Sequence, residues 1–308
     1  MLRLEIDVTS AAGVLGEPAC IVANVLLPPG PTAPHALLVC VPGGGMNCRY
    51  FDLPTPEGHA QASFARAMAA RGFAVAWLDP LGIGESTIPS DPYLLDPDLM
   101  ASTNGMAARH ILAGLQCGAL SPQWPAWPSL RSIGVGHSYG AMLTIIQQAA
   151  DPMHAALAVF GLHTAGLPDN GPPMDCTLDP TLVRANLVAM TRARHPEPYV
   201  TLQPPKSSQA VSAAVAMQAM LVTMTFMTRL PNMVSKEAAA IDAPLFLAFG
   251  EKDLHTAHHA APASYPNSAD ITLVVLPGAR HNHFIYPART LLFERFARWA
   301  SALPAEEP

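Results

Sequence analysis

Gly136-His137-Ser138-Tyr139-Gly140 follows the apolar run Ser132-Ile133-Gly134-Val135 directly and leads into Ala141-Met142-Leu143-Thr144-Ile145-Ile146-Gln147-Gln148, a stretch of helical composition. A serine between a strand and a helix sits on a sharp turn in a strained backbone conformation. Glycines two positions to either side remove the Cβ atoms that would collide across that turn. The reading lifts the Ser138 hydroxyl above the edge of a sheet, where a reacting carbonyl can reach it.

Upstream of this turn, strand and helix alternate. Residues 2–10 and 20–27 read as an antiparallel pair at a sheet edge, and 35–41 as a third strand running into Pro42-Gly43-Gly44-Gly45. Residues 62–71 have helical composition and stop at Gly72, 73–78 form an apolar strand closed by Asp79-Pro80, and 98–115 form the next helix. Residues 133–136 lead to the serine, and 155–160 form a further apolar strand. Apolar strands that do not alternate, separated by helices, require a parallel sheet covered on both faces.

The rhythm breaks after Gly161 into a proline-dotted stretch with two helix candidates, 180–194 and 207–229. It resumes with strands 244–249 and 271–276 and an amphipathic helix over 288–302. The organisation expected is a sheet domain in two parts, 1–162 and 242–308, carrying a helical cap over 163–241.

Composition narrows the function classes. The chain has 308 residues, half of them hydrophobic and only 13% charged, with a formal net charge of −6. Such a balance suits a globular protein with a large core and gives no electrostatic reason to bind nucleic acid or acidic lipid. The five cysteines, Cys20, Cys40, Cys48, Cys117 and Cys176, are scattered and form no C-x-x-C pair, as reduced thiols would. The first eight residues alternate like a strand and lack a signal-peptide centre, so a cytoplasmic location is expected. Residues 207–228 carry no charge but include Ser207, Ser208, Gln209, Ser212 and Gln218, too polar for a bilayer span. We read them as a buried or pocket-facing helix, with no stable membrane insertion.

A serine hydroxyl needs a base, and the base needs an orienting partner. Phe249-Gly250-Glu251-Lys252-Asp253 ends one late strand and Leu276-Pro277-Gly278-Ala279-Arg280-His281 ends the last. Parallel strands share their carboxyl edge, which brings these loops to the same rim as Ser138. Serine, acid, histidine is also the chain order that goes with this turn. Glu251 competes with Asp253, and His283, two residues on, competes with His281. His255, His258 and His259 invite a metal reading, but no cysteine or second acid completes a ligand set, so surface histidines are expected there.

On these motifs the chain resembles the α/β-hydrolase superfamily from about residue 2 to 302. The resemblance implies an eight-stranded, mostly parallel sheet. It makes Ser138 the nucleophile, Asp253 the orienting acid and His281 the general base. Asp79-Pro80-Leu81-Gly82-Ile83-Gly84-Glu85-Ser86 resembles the D-x-x-G-x-G-x-S loop of the superfamily, to which we give a structural role. Where many relatives carry His-Gly after the third strand, this chain has Pro42-Gly43. The oxyanion donors expected are the backbone N–H of Tyr139 and that of Gly44 or Gly45.

Met217, Met220, Met224 and Met227 belong to a methionine-rich apolar set suited either to lining a pliable substrate pocket or to packing the cap onto the sheet. No arginine pair stands out as a clamp, though Arg184, Arg192, Arg194 and Arg229 remain candidates. The expected activity is cleavage of a carboxylic ester or lactone with an apolar acyl or alcohol part, requiring no metal or organic cofactor. Thioesterases and acyltransferases share the constellation, and a ligand receptor on the same scaffold is the reading from another class. Assembly as a homodimer stays open.

Overall fold

A computed structural model describes residues 1–30, 32–53, 62–166, 177–201 and 219–304. Its main sheet is built from β1 (Leu2–Asp7), β2 (Cys20–Leu26), β3 (Leu37–Val41), β4 (Ala74–Leu78), β5 (Ser132–His137), β6 (Ala156–Phe160), β9 (Leu245–Gly250) and β10 (Ile271–Leu276). The eight strands lie in the order β1-β2-β4-β3-β5-β6-β9-β10. β1 pairs antiparallel with β2, and β2 with β4, while the rest of the sheet is parallel.

Side chains alternate faces along a strand, so a run apolar at every position needs cover on both sides. β3 shows how this is met. Leu37, Val39 and Val41 enter one core, and Leu38 and Cys40 enter the other. The first core includes α2 (Pro97–Cys117) and α3 (Tyr139–Ala150); the second includes α1 (Phe64–Ala69) and α8 (Arg289–Ala302). α2 has clear local stop and start signals. The Asp96 side chain caps the Leu99 N–H, Pro97 occupies the first turn, and Gly118 closes the helix in the left-handed conformation.

The loop after β4 has the structural role expected. The Asp79 carboxylate accepts the N–H groups of Cys48 at 2.7 Å and Glu85 at 3.0 Å, and Ser86 Oγ donates to the Asp79 carbonyl at 2.5 Å. This ties the loops after β3 and β4 together.

Between β6 and β9 lie α4 (Pro180–Ala185), α5 (Leu187–Arg194), β7 (Tyr199–Thr201), β8 (Ala219–Leu221), α6 (Val222–Arg229) and α7 (Ser235–Ala240). Two helix expectations need correction here. The single helix over 180–194 breaks at Asn186, whose side-chain amide bonds the Leu182 carbonyl and whose N–H reaches the carbonyls of Leu182 and Val183. Asparagine competes with helix continuation in this way. Within the helix expected over 207–229, Ala219–Leu221 is a strand that pairs antiparallel with Tyr199–Thr201, and Val222–Arg229 is helical. The earlier part of that stretch, with Met217, lies outside the described residues. Among these residues, no helix is long and apolar enough to cross a membrane.

Candidate active site

β5 is a switch point: its neighbour β3 leads to one side of the sheet and β6 to the other. Ligands of open α/β sheets bind beyond the carboxyl ends of strands at such a point. Ser138 is the first residue past β5, at φ 52° and ψ −118°, a strained position for a residue with a side chain. The two flanking glycines are required by close approach. A methyl on Gly136 would lie 2.3 Å from Ala141 Cα, and one on Gly140 would lie 2.2 Å from the Val41 carbonyl oxygen. The turn is held by the Ser138 N–H donating to the Phe160 carbonyl at 2.7 Å. Tyr139 opens α3, so its N–H has no carbonyl one turn behind it.

The loops after β9 and β10 are laced together: the Glu251 N–H donates to Leu276 and the Lys252 N–H to Ala279, both at 2.9 Å. Their side chains meet Ser138. His281 Nε2 lies 2.8 Å from Ser138 Oγ, and His281 Nδ1 lies 2.6 Å from Asp253 Oδ1. The Asp253 carboxylate also accepts the N–H groups of Leu254 at 2.8 Å and Gly250 at 3.0 Å. Burial alone would raise its pKa, but hydrogen bonds from His281 and His283 outweigh that and hold it far below the usual carboxylate range. Ser138 is 7% exposed.

Of the two rivals, Glu251 is exposed and accepts the Gly278 N–H at 2.7 Å, outside the Ser138 chain of contacts. His283 does not reach Ser138 either. The chain turns tightly after His281 instead of staying extended, and His283 Nε2 meets the other oxygen of Asp253 at 3.0 Å.

Two supporting contacts had no strong sequence signal. His137 is fully buried, its Nε2 lying 2.8 Å from the His281 carbonyl, and burial pushes its pKa well down, so it is neutral and donates there. Phe284 is fully buried and stacks on Tyr50 at 4.5 Å and Phe64 at 5.3 Å, which anchors the segment behind His281. Phe284→Ala is expected to cost about 3–5 kcal/mol in a urea titration, the range for truncating a buried aromatic.

The histidines after Asp253 are not all on the surface. His258 is buried against Phe249, with ring centroids 5.0 Å apart, and His255 stacks on His163 at 3.9 Å; only His259 is exposed. A short apolar-facing loop explains the difference, since Phe249 at the end of β9 needs cover. Among the described residues, no group of three or more His, Cys, Asp or Glu side chains is arranged to hold a metal ion.

Met220 is half-buried and lies over the glycine loop after β3: a methyl on Gly44 would be 2.5 Å from its Sδ. Met224 and Met227 are fully buried within the core that includes α2 and α3. Arg184 is engaged by Asp98 and Glu237, and Arg192 by Asp91.

A family model described as the alpha/beta hydrolase family matches residues 38–291. No curated protein matches. Solved structures with the same fold include DcsB in complex with its substrate analogue, at TM-score 0.66 and 14% identity over 99% of each chain. A monoacylglycerol lipase from Paleococcus ferrophilus has TM-score 0.62 and 17% identity over 92% of this chain and 99% of that one. Est1E from Butyrivibrio proteoclasticus, with ferulic acid bound, has TM-score 0.61 and 13% identity over 97% and 98%. With a family match across most of its length and an eight-stranded sheet of the same kind, the chain belongs to the alpha/beta hydrolase family.

Proposed function

We propose that the protein is a serine hydrolase that cleaves a carboxylic ester or lactone with a mainly apolar acyl or alcohol part. One observation carries the reading: an unbroken hydrogen-bonded chain from Ser138 Oγ through His281 to Asp253, at 2.8 and 2.6 Å. In this mechanism His281 Nε2 takes the hydroxyl proton as Ser138 Oγ attacks the carbonyl. Asp253 holds the Nδ1–H tautomer and stabilises the imidazolium. His281 then returns the proton to the departing alcohol oxygen, and water repeats the cycle on the acyl-enzyme to release the acid.

The oxyanion donors in this reading are the N–H groups of Tyr139 and Gly44. Support for Gly44 over Gly45 comes from its position beside the turn, where a methyl on Gly44 would lie 3.7 Å from Tyr139 Cβ. Met220, above Gly44, lines the acyl side. The segment over 163–241 acts as the cap and supplies this lining. Neighbours described as a thermophilic esterase from Thermogutta terrifontis and a monoacylglycerol lipase support an ester substrate. A cytoplasmic setting is supported by the free state of Cys20, Cys40, Cys48 and Cys117.

The test is intact-mass spectrometry after exposure to a fluorophosphonate. A single adduct on the wild type that is absent from Ser138→Ala is expected. A folded wild type that takes up no adduct would remove the hydrolase reading and favour a ligand receptor.

A further inference from the structure

Asp253 has a second imidazole. His283 is fully buried, its Nε2 lies 3.0 Å from Asp253 Oδ2, and the Gly250 N–H is shared between that Oδ2 at 3.0 Å and His283 Nε2 at 3.1 Å. Among the described residues, none hydrogen-bonds the buried His283 Nδ1.

These contacts decide where the proton sits. A proton on Nδ1 would be a buried donor with nothing to receive it; the bare Nε2 could take the Gly250 N–H, but that N–H is equally served by Oδ2, and the Nε2 lone pair would face the carboxylate oxygen at hydrogen-bond distance. A proton on Nε2 donates to Oδ2 and leaves only an unused acceptor at Nδ1, the cheaper of the two arrangements. Double protonation would put a charge in a fully buried site and again orphan Nδ1–H. Burial pushes the pKa of His283 down, in agreement with a neutral ring. Tyr50, His137, His258 and His281 surround Asp253 and His283, and none of them supplies another acceptor for Nδ1.

We propose that His283 is a positioning residue for the hydrolysis read above: its neutral Nε2–H clamps Asp253 Oδ2, so that Oδ1 alone is presented to His281. Asp253 then receives four donors. Leu254 N–H and His281 Nδ1–H go to Oδ1, and Gly250 N–H and His283 Nε2–H go to Oδ2. A carboxylate held at both oxygens cannot rotate, and the imidazole it orients keeps its aim at Ser138. During turnover the Nε2 proton stays on His283; only the proton between Ser138 and His281 moves. The two histidines thus divide the work that sequence alone presented as a rivalry for one role.

The proposal rests on the hydrolase reading, and the test separates the two. Nitrogen-15 histidine NMR of the wild-type protein is expected to show His283 protonated on Nε2 and bare on Nδ1, whether or not any substrate turns over; the opposite tautomer would overturn the clamp. Fluorophosphonate labelling of the same sample reports on Ser138 independently.

Kinetics supply the second arm. His283→Leu, which has no donor, is expected to lower kcat by up to about 100-fold with KM little changed, the scale of a small misalignment of catalytic groups. It should also move the acid limb of the kcat/KM profile to higher pH. Losing the N–H dipole leaves more negative charge on Asp253 and favours the protonated form of His281. His283→Gln keeps a donor at a similar reach and should restore most of the kcat and the wild-type limb. Wild-type kcat and pH limb in His283→Leu, or no recovery in His283→Gln, would overturn the proposal. If His283→Leu fails to fold, the tautomer measured in the wild type decides.

Discussion

Ser138→Ala is expected to lower kcat on a simple ester by roughly 10⁴- to 10⁶-fold, the range seen when one member of such a triad is removed from a hydrolase. Without Oγ there is no atom to form the acyl-enzyme, and what remains is whatever the oxyanion donors and binding supply to attack by water. The fold should not suffer. Among the described residues, Ser138 Oγ makes one side-chain hydrogen bond, with His281, and the backbone bonds that hold the turn belong to its N–H and carbonyl. The strain at φ 52° comes from the Cβ atom, which alanine retains. Such strain is worth about 1–3 kcal/mol, so Ser138→Gly should unfold at a higher temperature than Ser138→Ala while being equally inactive. Steady-state kinetics and thermal melts of the three proteins check both halves. Activity within tenfold of wild type in Ser138→Ala would remove the nucleophile.

Acid should unfold this protein steeply. His137, His154 and His283 are all buried, and burial depresses the pKa of each, that of His154 to about 3. A group whose folded pKa lies below its unfolded value of about 6.5 leaves the unfolded chain holding the extra proton as pH falls. The stability tied to these rings is therefore fully present above pH ~6.5 and is lost on the way down toward their folded pKa values. For His154 this is a slope of about 1.4 kcal/mol per pH unit between pH ~6.5 and about 3, and His137 and His283 add to the loss in the same direction.

His154 alone then removes about 3–4 kcal/mol between pH ~6.5 and ~4, a large share of a total stability of about 5–15 kcal/mol. The measurement is the urea midpoint followed by circular dichroism from pH 7 to 4. His154 is the control residue, because it bonds Ser132 Oγ at 2.9 Å at the start of β5, the end of that strand opposite Ser138. His154→Gln should make the slope shallower by about 1.4 kcal/mol per pH unit. An unchanged slope in that variant would mean that the histidine is protonated or solvated in the folded state.

Much of this architecture is local and could be read along the chain. β3, β4, β6 and β9 are apolar at every position, and the pattern has one stable solution, a parallel sheet covered on both faces. Gly136 and Gly140 announce the turn because any larger residue would strike the Ala141 or Val41 backbone. The chain order of Ser138, Asp253 and His281 is a property of topology, since the carboxyl ends of parallel strands meet on one rim. The segment after Gly161 was less legible. Whether residues 219–221 form helix or strand depends on Tyr199–Thr201 being there to pair with them, and neither stretch encodes the other's arrival.

By itself, then, the sequence determined which residue types reach the rim: the serine on its elbow, a carboxylate after one strand, and two histidines two positions apart after another. Only the tertiary structure decided how those two histidines share the carboxylate. His281 takes Oδ1 and Ser138, His283 takes Oδ2, and His137 holds the His281 carbonyl. The reason is that hydrogen bonds are made over about 3 Å and depend on direction. Spacing along the chain brings side chains to the same edge of a sheet, but which lone pair each one meets depends on the turn after His281 and on Phe284 locked among the rings of Tyr50 and Phe64.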